Sequence, residues 1–452
     1  MKNLFAVCYE CPPEVTPTSI RAGKLLRKLQ TQWQITALAK DPSANLGAEA
    51  QVNWAQEWYP KLLIDAIDKI RLSKFIPWFI PFWPERTFFW LFPAILRGIK
   101  SIAQRECSVI LVFMMPYGAG LIGIVLKWLT GIPLVLNFDD SPTCTDMRVS
   151  FPSWFHYKMT AWMEDFYIRQ SDKVIYVSQW NLERVQSRQP KEHQSKFHLV
   201  RFGADEIALF DQQPRETDSF EIVYTGGMTG WFELCPDEEK TSIVKTIYRK
   251  WMELGRYRVL EKDIRSSSPF FIGQAVQNLL QNHPDWQGKV RIKIYGNRYP
   301  ENIVNKVLEH YDLTEIVSVF PPVQHSEAIE LISRSDLLFM TLPARLDNSS
   351  GGRISAKTYE YLMTNRPILA AIPQGENWNY LEKKPGTWLV SPTDVSGMAK
   401  VLEERISAKF AGEENTFDRA QLRPELSYET RAKELDFVLQ SAVKEWGSGD
   451  EH

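Results

Sequence analysis

SSGGRISAKTYEYLMTNRPILAAIP, residues 349–373, reads as a glycine-rich turn, a short helix and a buried strand. The turn Ser349-Ser350-Gly351-Gly352 offers backbone N–H groups to an anion, and Ser355 stands where an N-cap belongs. The helix start then aims its orphan amides and its positive dipole end at the same place. Helical spacing puts Ala356, Tyr359, Leu362 and Met363 on one apolar face, and Lys357, Glu360, Tyr361 and Thr364 on another. Asn365 suits a left-handed residue closing the helix, Pro367 stops it, and residues 368–372 are a short apolar strand. A phosphate cradle with a carboxylate one turn away is what a nucleoside diphosphate requires. The cradle takes the diphosphate, and Glu360 accepts from two ribose hydroxyls. An ordinary turn followed by a surface Lys357–Glu360 pair worth about 0.2–0.5 kcal/mol fits these residues equally well. The rest of the chain decides between the two.

The length of 452 residues exceeds one core and points to two domains. Apolar content of 44% with 24% charged residues is that of a soluble globular protein, and a net charge of −2 excludes a global pull toward nucleic acid. The five cysteines are scattered. Cys8-x-x-Cys11 has no second pair and no nearby histidine, which argues against zinc and leaves a redox pair open. The usage suits a reducing compartment. The chain runs from Met1-Lys2-Asn3 straight into a strand-like segment with no signal-peptide pattern. Residues 109–126 carry no charge, yet Pro116, Gly118, Gly120 and Gly123 divide them into strand, loop and helix, which argues against a membrane span.

Strand and helix patterns alternate through the first half: strands at 4–8, 34–39, 109–114, 133–138, 173–177 and 197–200, with helices at 19–29, 121–130 and 157–169. The second half starts afresh, with strands at 221–225, 290–295, 316–319 and 336–340. Such alternation means parallel sheets covered by helices. The expected organisation is a first domain at 1–210, a second at 211–426 with an insertion at about 232–270, and a helical tail at 427–452. Residues 73–98 fit no ordinary crossover. They are aromatic, broken by prolines and flanked by basic residues, a pattern suited to resting in a membrane interface. Packing into the domain's own core is an equal alternative.

In chain order the motifs are Tyr9-Glu10-Cys11-Pro12-Pro13-Glu14, Pro84-Glu85-Arg86, Met115-Pro116-Tyr117, Thr130-Gly131-Ile132-Pro133, Asp172-Lys173-Val174, Tyr224-Thr225-Gly226-Gly227 and Lys357-Thr358-Tyr359-Glu360-Tyr361-Leu362 before Arg366-Pro367-Ile368-Leu369-Ala370. This ordered series resembles the bacterial family 4 glycosyltransferases that assemble surface polysaccharides and lipid-linked glycans. The resemblance implies the GT-B fold: two Rossmann-like parallel α/β domains facing across a cleft, with the C-terminal helix packing back on the first. It implies transfer of a sugar from a nucleotide-diphosphate sugar to a glycan or polyprenyl-linked acceptor at the cytoplasmic membrane face, with retention and without a metal. No cofactor is implied, since the nucleotide sugar is the donor substrate. Carried over by position, Glu360 would bind the ribose. Lys357, Arg353 and the backbone of Gly226, Gly227, Gly351 and Gly352 would handle the diphosphate, and His325 would lie near the donor base.

The acceptor side departs from the pattern. Gly120 stands where the family usually has histidine, Asp139-Asp140 stands in place of Arg-Asp, and Gly352 stands where some relatives carry a first glutamate. Arg21, Tyr117, Gly120 and Asp139 are the acceptor-side candidates, and Asp140, at a strand end, is the candidate general base. Two other readings share the fold: a non-catalytic nucleotide-sugar-binding protein and a nucleotide-sugar epimerase.

Overall fold

The computed structural model describes residues 1–14, 16–57, 86–144, 150–205, 218–228, 230–235, 254–347, 349–413 and 415–449, together with residues 247 and 250. The chain divides into two units: Met1–Gly203 with Lys250–Val259 and Ser427–His452, and Ala204–Arg249 with Leu260–Leu426.

The first unit is built on β1 (Lys2–Val7), β2 (Trp33–Ala39), β3 (Gln51–Trp54), β4 (Val109–Phe113), β5 (Leu134–Phe138), β6 (Lys173–Tyr176) and β7 (Phe197–Leu199). All pairings are parallel, in the order β3-β2-β1-β4-β5-β6-β7. The central strands VILVF and LVLNF are buried at every residue, because helices cover both faces of the sheet. Its longer helices before residue 203 are α1 (Pro17–Leu29), α2 (Leu91–Arg105), α3 (Ala119–Thr130) and α4 (Trp154–Gln170). Those of α2, α3 and α4 pack into one core layer through Ala94, Ile122, Leu126, Met163 and Tyr167. On the opposite face, α1 and the helix Tyr428–Gly449 close the second layer. There Leu435, Val438 and Leu439 join Leu4, Ala6, Leu111 and Phe113. Trp33 Nε1 donates to Asp436 Oδ1 at 2.6 Å and ties this helix to β2. Truncating Leu435 to alanine would cost about 2–5 kcal/mol. The tail thus belongs to the first unit. Phe437, on the same helix, is 69% exposed.

The uncharged run 109–126 resolves into β4, a turn and α3. Of the aromatic stretch 73–98, residues 73–85 and the side chains of 86 and 88 lie outside the described residues. Trp90 is core: it is fully buried, donates to the Ala55 carbonyl at 2.8 Å and meets Tyr9 edge-on at 5.3 Å.

The second unit has β8 (Phe220–Thr225), β9 (Val290–Tyr295), β10 (Val317–Phe320), β11 (Leu337–Thr341), β12 (Ile368–Ala371) and β13 (Thr387–Val390), all parallel, in the order β10-β9-β8-β11-β12-β13. The strand order reverses between β8 and β11. In open parallel sheets, ligands bind beyond the carboxyl ends of the strands at such a reversal. The helices that matter there are α5 (His325–Ser333) and α6 (Ala356–Met363).

The expected insertion at 232–270 is partly outside the described residues. Its described part is shared between the units. Tyr257–Arg258 pairs antiparallel with Ser150–Phe151 in the first, and Lys262–Asp263 pairs with Ala344–Arg345 in the second.

Candidate functional site

In the second unit, β8 ends at Thr225 and the chain turns through Gly226 with φ +114°. Its neighbour β9 ends at Tyr295 and turns through Gly296 with φ +113°. The two turns touch: a Cβ on Gly296 would lie 2.8 Å from Gly226 Cα. Only glycine satisfies both the backbone angle and that approach. Gly227 is exposed beside them, and its carbonyl accepts from the Tyr224 hydroxyl at 3.4 Å.

Lys357, in the first turn of α6, reaches over this turn. Its Nζ lies 4.9 Å from the centroid of the Tyr224 ring and would be 2.8 Å from a Cβ on Gly226. One turn further along, Glu360 Oε1 lies 3.8 Å from Nδ1 of His325, the first residue of α5. Burial pushes the Glu360 carboxyl above its ordinary range, the His325 and Lys357 charges pull it back, and Asp205 pushes it up again. Tyr361, fully buried, accepts from the Thr225 amide at 3.2 Å and lies 3.3 Å from the Thr225 hydroxyl, locking α6 to the end of β8. Four of the expected donor residues, Gly226, Lys357, Glu360 and His325, are thereby brought together, with Gly227 on the same turn.

The glycine turn ahead of α6 differs from the open anion cradle expected. The Gly351 amide donates to the Gln374 carbonyl at 3.4 Å, and the Gly351 carbonyl accepts from the Glu376 amide at 2.8 Å. Gly375, with φ +149°, allows this: a Cβ there would be 2.4 Å from the Gly351 oxygen. The Ser349 amide donates to Asp347 Oδ1 at 3.1 Å, and Arg345 Nε and Nη2 donate to Ser349 Oγ at 2.9 and 2.6 Å. Gly351 and Gly352 are buried and Arg353 is half-buried. The amides of Ser349 and Gly351 are thus held by partners within the protein, and the first-turn amides of α6 stand beside them.

Two details of the helix are corrected. Ser355 occupies the N-cap position without a capping side-chain bond. Thr364 closes the helix in an extended conformation (φ −87°, ψ 166°), and Asn365 is not among the residues with positive φ. Its side-chain oxygen accepts from Arg423 at 3.1 Å. Sequence reasoning missed the residue that braces this end. Arg419, almost fully buried, donates to the carbonyls of Thr364, Arg366, Pro385 and Gly386 at 2.8–3.0 Å. Gly296 and Gly375 carried a signal, Gly296 directly after a strand and Gly375 between a strand and a helix, but their partners are distant in sequence.

In the first unit, Arg21 is fully buried. Its Nη1 lies 3.0 Å from Asp139 Oδ1 and its Nη2 donates to the Val200 carbonyl at 2.9 Å. Thr18 Oγ1 donates to Asp139 Oδ2 at 2.7 Å. Arg21 and Asp139, expected on the acceptor side, thus hold α1 to the carboxyl end of β5 and leave little for a ligand to touch. Tyr117 is buried. Gly120 faces the core: a Cβ would meet Met114 Cε at 2.7 Å and Tyr167 Cζ at 3.1 Å, so a side chain there requires both neighbours to shift. Asp140, two residues beyond β5, is half-buried. The cysteine pair is not poised for redox chemistry. Cys8 and Cys11 are free and buried, burial pushes both thiols up, and Cys11 reaches about 12.

No protein-family model matches the chain, and no curated protein does. Solved structures do. HepE from Anabaena, in complex with UDP, superimposes with a TM-score of 0.60 at 11% identity, over 98% of this chain and 100% of HepE. Sucrose-phosphate synthase from Thermosynechococcus elongatus gives 0.56 at 11% identity over 100% and 98%. The lipopolysaccharide outer core galactosyltransferase WaaB gives 0.55 at 10% identity over 98% and 99%. With two parallel α/β units matched over nearly the whole chain, the protein has the GT-B fold.

Proposed function

We propose that the chain is a glycosyltransferase that takes a sugar from a nucleotide-diphosphate sugar and gives it to a glycan or polyprenyl-linked acceptor at the cytoplasmic face of a membrane, in the manner of family 4 enzymes of polysaccharide assembly. The observation that carries this is the meeting of Gly226, Lys357, Glu360 and His325 where the strand order reverses in the second unit. The likeness to HepE, solved with UDP and with UDP-glucose, and to the galactosyltransferase WaaB supports it.

In this reading the bond between the anomeric carbon and the diphosphate oxygen breaks, and its electron pair stays on the phosphate. Lys357, Arg353 and the first-turn amides of α6 stabilise that charge without a metal. Glu360 accepts from the ribose hydroxyls. The acceptor oxygen bonds to the anomeric carbon with retention and passes its proton to Asp140. Asp140→Asn is expected to lose turnover and keep nucleotide affinity. Unchanged turnover would assign the proton to the departing phosphate oxygen instead.

A thermal-shift panel of free nucleotides and nucleotide sugars tests the whole reading. A ligand present at a hundred times its dissociation constant adds about 2.7 kcal/mol of stability. A panel with no shift would remove both the transferase and the epimerase. The buried Arg21–Asp139 pair and the filled space at Gly120 favour one second reading, a non-catalytic nucleotide-sugar-binding protein. Nucleotide binding without transfer or hydrolysis across a broad acceptor panel would select it.

A further inference from the structure

Two helices of the first unit begin at the carboxyl ends of its strands. α4 ends at Gln170, just before β6 starts, so its first residue, Trp154, lies toward the opposite end of the sheet. The helix Gln179–Gln186 starts just beyond the end of β6. Trp154, Tyr157 and Lys158 share one face of α4 by their spacing. Trp154 is 55% exposed, and the Lys158 ammonium lies 5.4 Å from the centroid of its ring. Tyr157 meets Phe151 edge-on at 5.3 Å and Tyr257 at 5.0 Å. Tyr257 comes from the 232–270 segment, and the pairing of Tyr257–Arg258 with Ser150–Phe151 brings its ring beside α4. On the helix Gln179–Gln186, the Arg184 guanidinium lies 4.9 Å from the centroid of the Trp180 ring.

These side chains form one neighbourhood. Burial pushes the Tyr157 hydroxyl above its ordinary range, and the charges of Arg188 and Arg184 pull it back, so the guanidiniums reach the tyrosine pair from the next helix. Lys158 and Arg184 are exposed, as are Arg256 and Arg258 on either side of Tyr257. Among the described residues of α4, the helix Gln179–Gln186 and segments 150–151 and 254–259, the carboxylates are Glu164, Asp165 and Glu183. Glu164 is buried at 2.7 Å from Arg188, and Asp165 lies 3.8 Å from the same guanidinium. Glu183 is exposed and accepts from Gln179 Nε2 at 2.6 Å. Positive charge therefore exceeds negative here, although the whole chain carries −2.

We propose that this end of the first unit binds a saccharide chain bearing carboxylates, with sugar rings lying on Trp154 and Tyr257 and their carboxylates meeting Lys158 and Arg184. A pyranose presents C–H groups on its faces and hydroxyls around its rim, so it packs on an aromatic ring while the rim stays wet. Rings set singly, each bordered by a cation, suit such a chain better than a continuous apolar partner surface. Guanidinium is the group that matches a carboxylate in charge and shape. Asp140, the candidate proton acceptor, follows β5 at the same end of the sheet, where ligands of parallel sheets bind. The chain is accordingly read as the acceptor, a part of the proposal that rests on the transferase reading. Binding itself does not require the nucleotide.

The test is calorimetric titration of the full chain, without nucleotide, with hexagalacturonate, hexamannuronate, maltohexaose and hexaglutamate. At least one acidic hexasaccharide should bind, more weakly as salt rises. Maltohexaose, which lacks the charge, and hexaglutamate, which lacks the sugar rings, should bind about tenfold more weakly or worse. Trp154→Ala and Tyr257→Ala should each weaken the acidic saccharide about tenfold, and Tyr257→Phe should keep it. Arg184→Gln should remove most of the preference over maltohexaose. Trp154 and Arg184 are exposed, so their variants carry the test if Tyr257→Ala fails to fold by thermal unfolding. No binding of either acidic saccharide, equal binding of maltohexaose or hexaglutamate, or binding unchanged in the folded Trp154 and Arg184 variants overturns the proposal. UDP thermal shifts on the same proteins report the nucleotide reading separately: a shift without saccharide binding sinks this proposal alone, and saccharide binding without a shift sinks the transferase reading.

Discussion

Gly226→Ala and Gly227→Ala should behave oppositely although the glycines are adjacent. At Gly226 a new methyl meets Lys357 Cε at 2.7 Å and Nζ at 2.8 Å. Those atoms end a flexible side chain, so they swing away cheaply, but they leave the site in doing so. The backbone cost is separate. A side chain at φ +114° is worse placed than in the left-handed well, where L-residues already lose about 1–2 kcal/mol. The unliganded variant should therefore lose about 2 kcal/mol of stability. Its nucleotide affinity should fall by a further 10- to 100-fold or so, since a hydrogen bond from a charged donor contributes about 1.5–3 kcal/mol. At Gly227 the nearest atom to a new Cβ is the Gly296 carbonyl oxygen at 3.6 Å, an ordinary contact, and φ is not positive. That variant should stay within about 0.5 kcal/mol of the parent, as surface changes usually do. Urea denaturation and UDP titration by calorimetry read the two quantities. Equal losses in both variants, or an unchanged dissociation constant in Gly226→Ala, would refute the reasoning.

Glu360→Gln should bind nucleotide more weakly and yet melt higher without ligand at neutral pH. A carboxyl raised in the folded state contributes stability that is complete below its unfolded value and lost as pH rises through the folded one, so the glutamine removes a cost present at neutral pH. The two melting curves should converge in acid, and a lower melting temperature for the variant at pH 7 would contradict the assignment. Gly120→His should lose about 1–3 kcal/mol through overpacking against Met114 and Tyr167, measured by chemical denaturation. Thiol labelling of the native protein should modify the half-exposed Cys144 and Cys235 promptly. It should spare Cys8, Cys11 and Cys107, all buried, with the Cys11 thiol pushed up to about 12 and that of Cys107 to about 11.

Strands such as Val109–Phe113 were legible because a strand buried on both faces must be a continuous aliphatic or aromatic run. The edge strand Gln51–Trp54 was not, because an edge with mixed exposure imposes no such pattern. The pairing of Tyr257–Arg258 with Ser150–Phe151 was invisible too, since two-residue strands from distant segments leave no periodicity. At the site, Lys357, Glu360 and Gly226 could be read because local spacing defines them. Gly296 and Gly375 could not be given their roles, because each is required by contact with a backbone far away in the chain. Arg419 binds main-chain carbonyls, which every residue has, so no partner residue announces it. Arg21 and Asp139, expected on the acceptor side, pair with each other, a contact between residues 118 positions apart that local spacing does not announce.

The helix Tyr428–Gly449, which completes the first unit's core, has a consequence for synthesis. About 220 residues, 204–426, separate it from the body of that unit. At about 5–20 residues per second, the ribosome needs on the order of 10–45 s to make them. During that interval Leu4, Ala6, Leu111 and Phe113 lack their partners Leu435, Val438 and Leu439. The unit made first is finished last. A nascent chain in that window presents an apolar sheet face to whatever is nearby, and a chaperone that shields it there would act on the first unit while the second is folding.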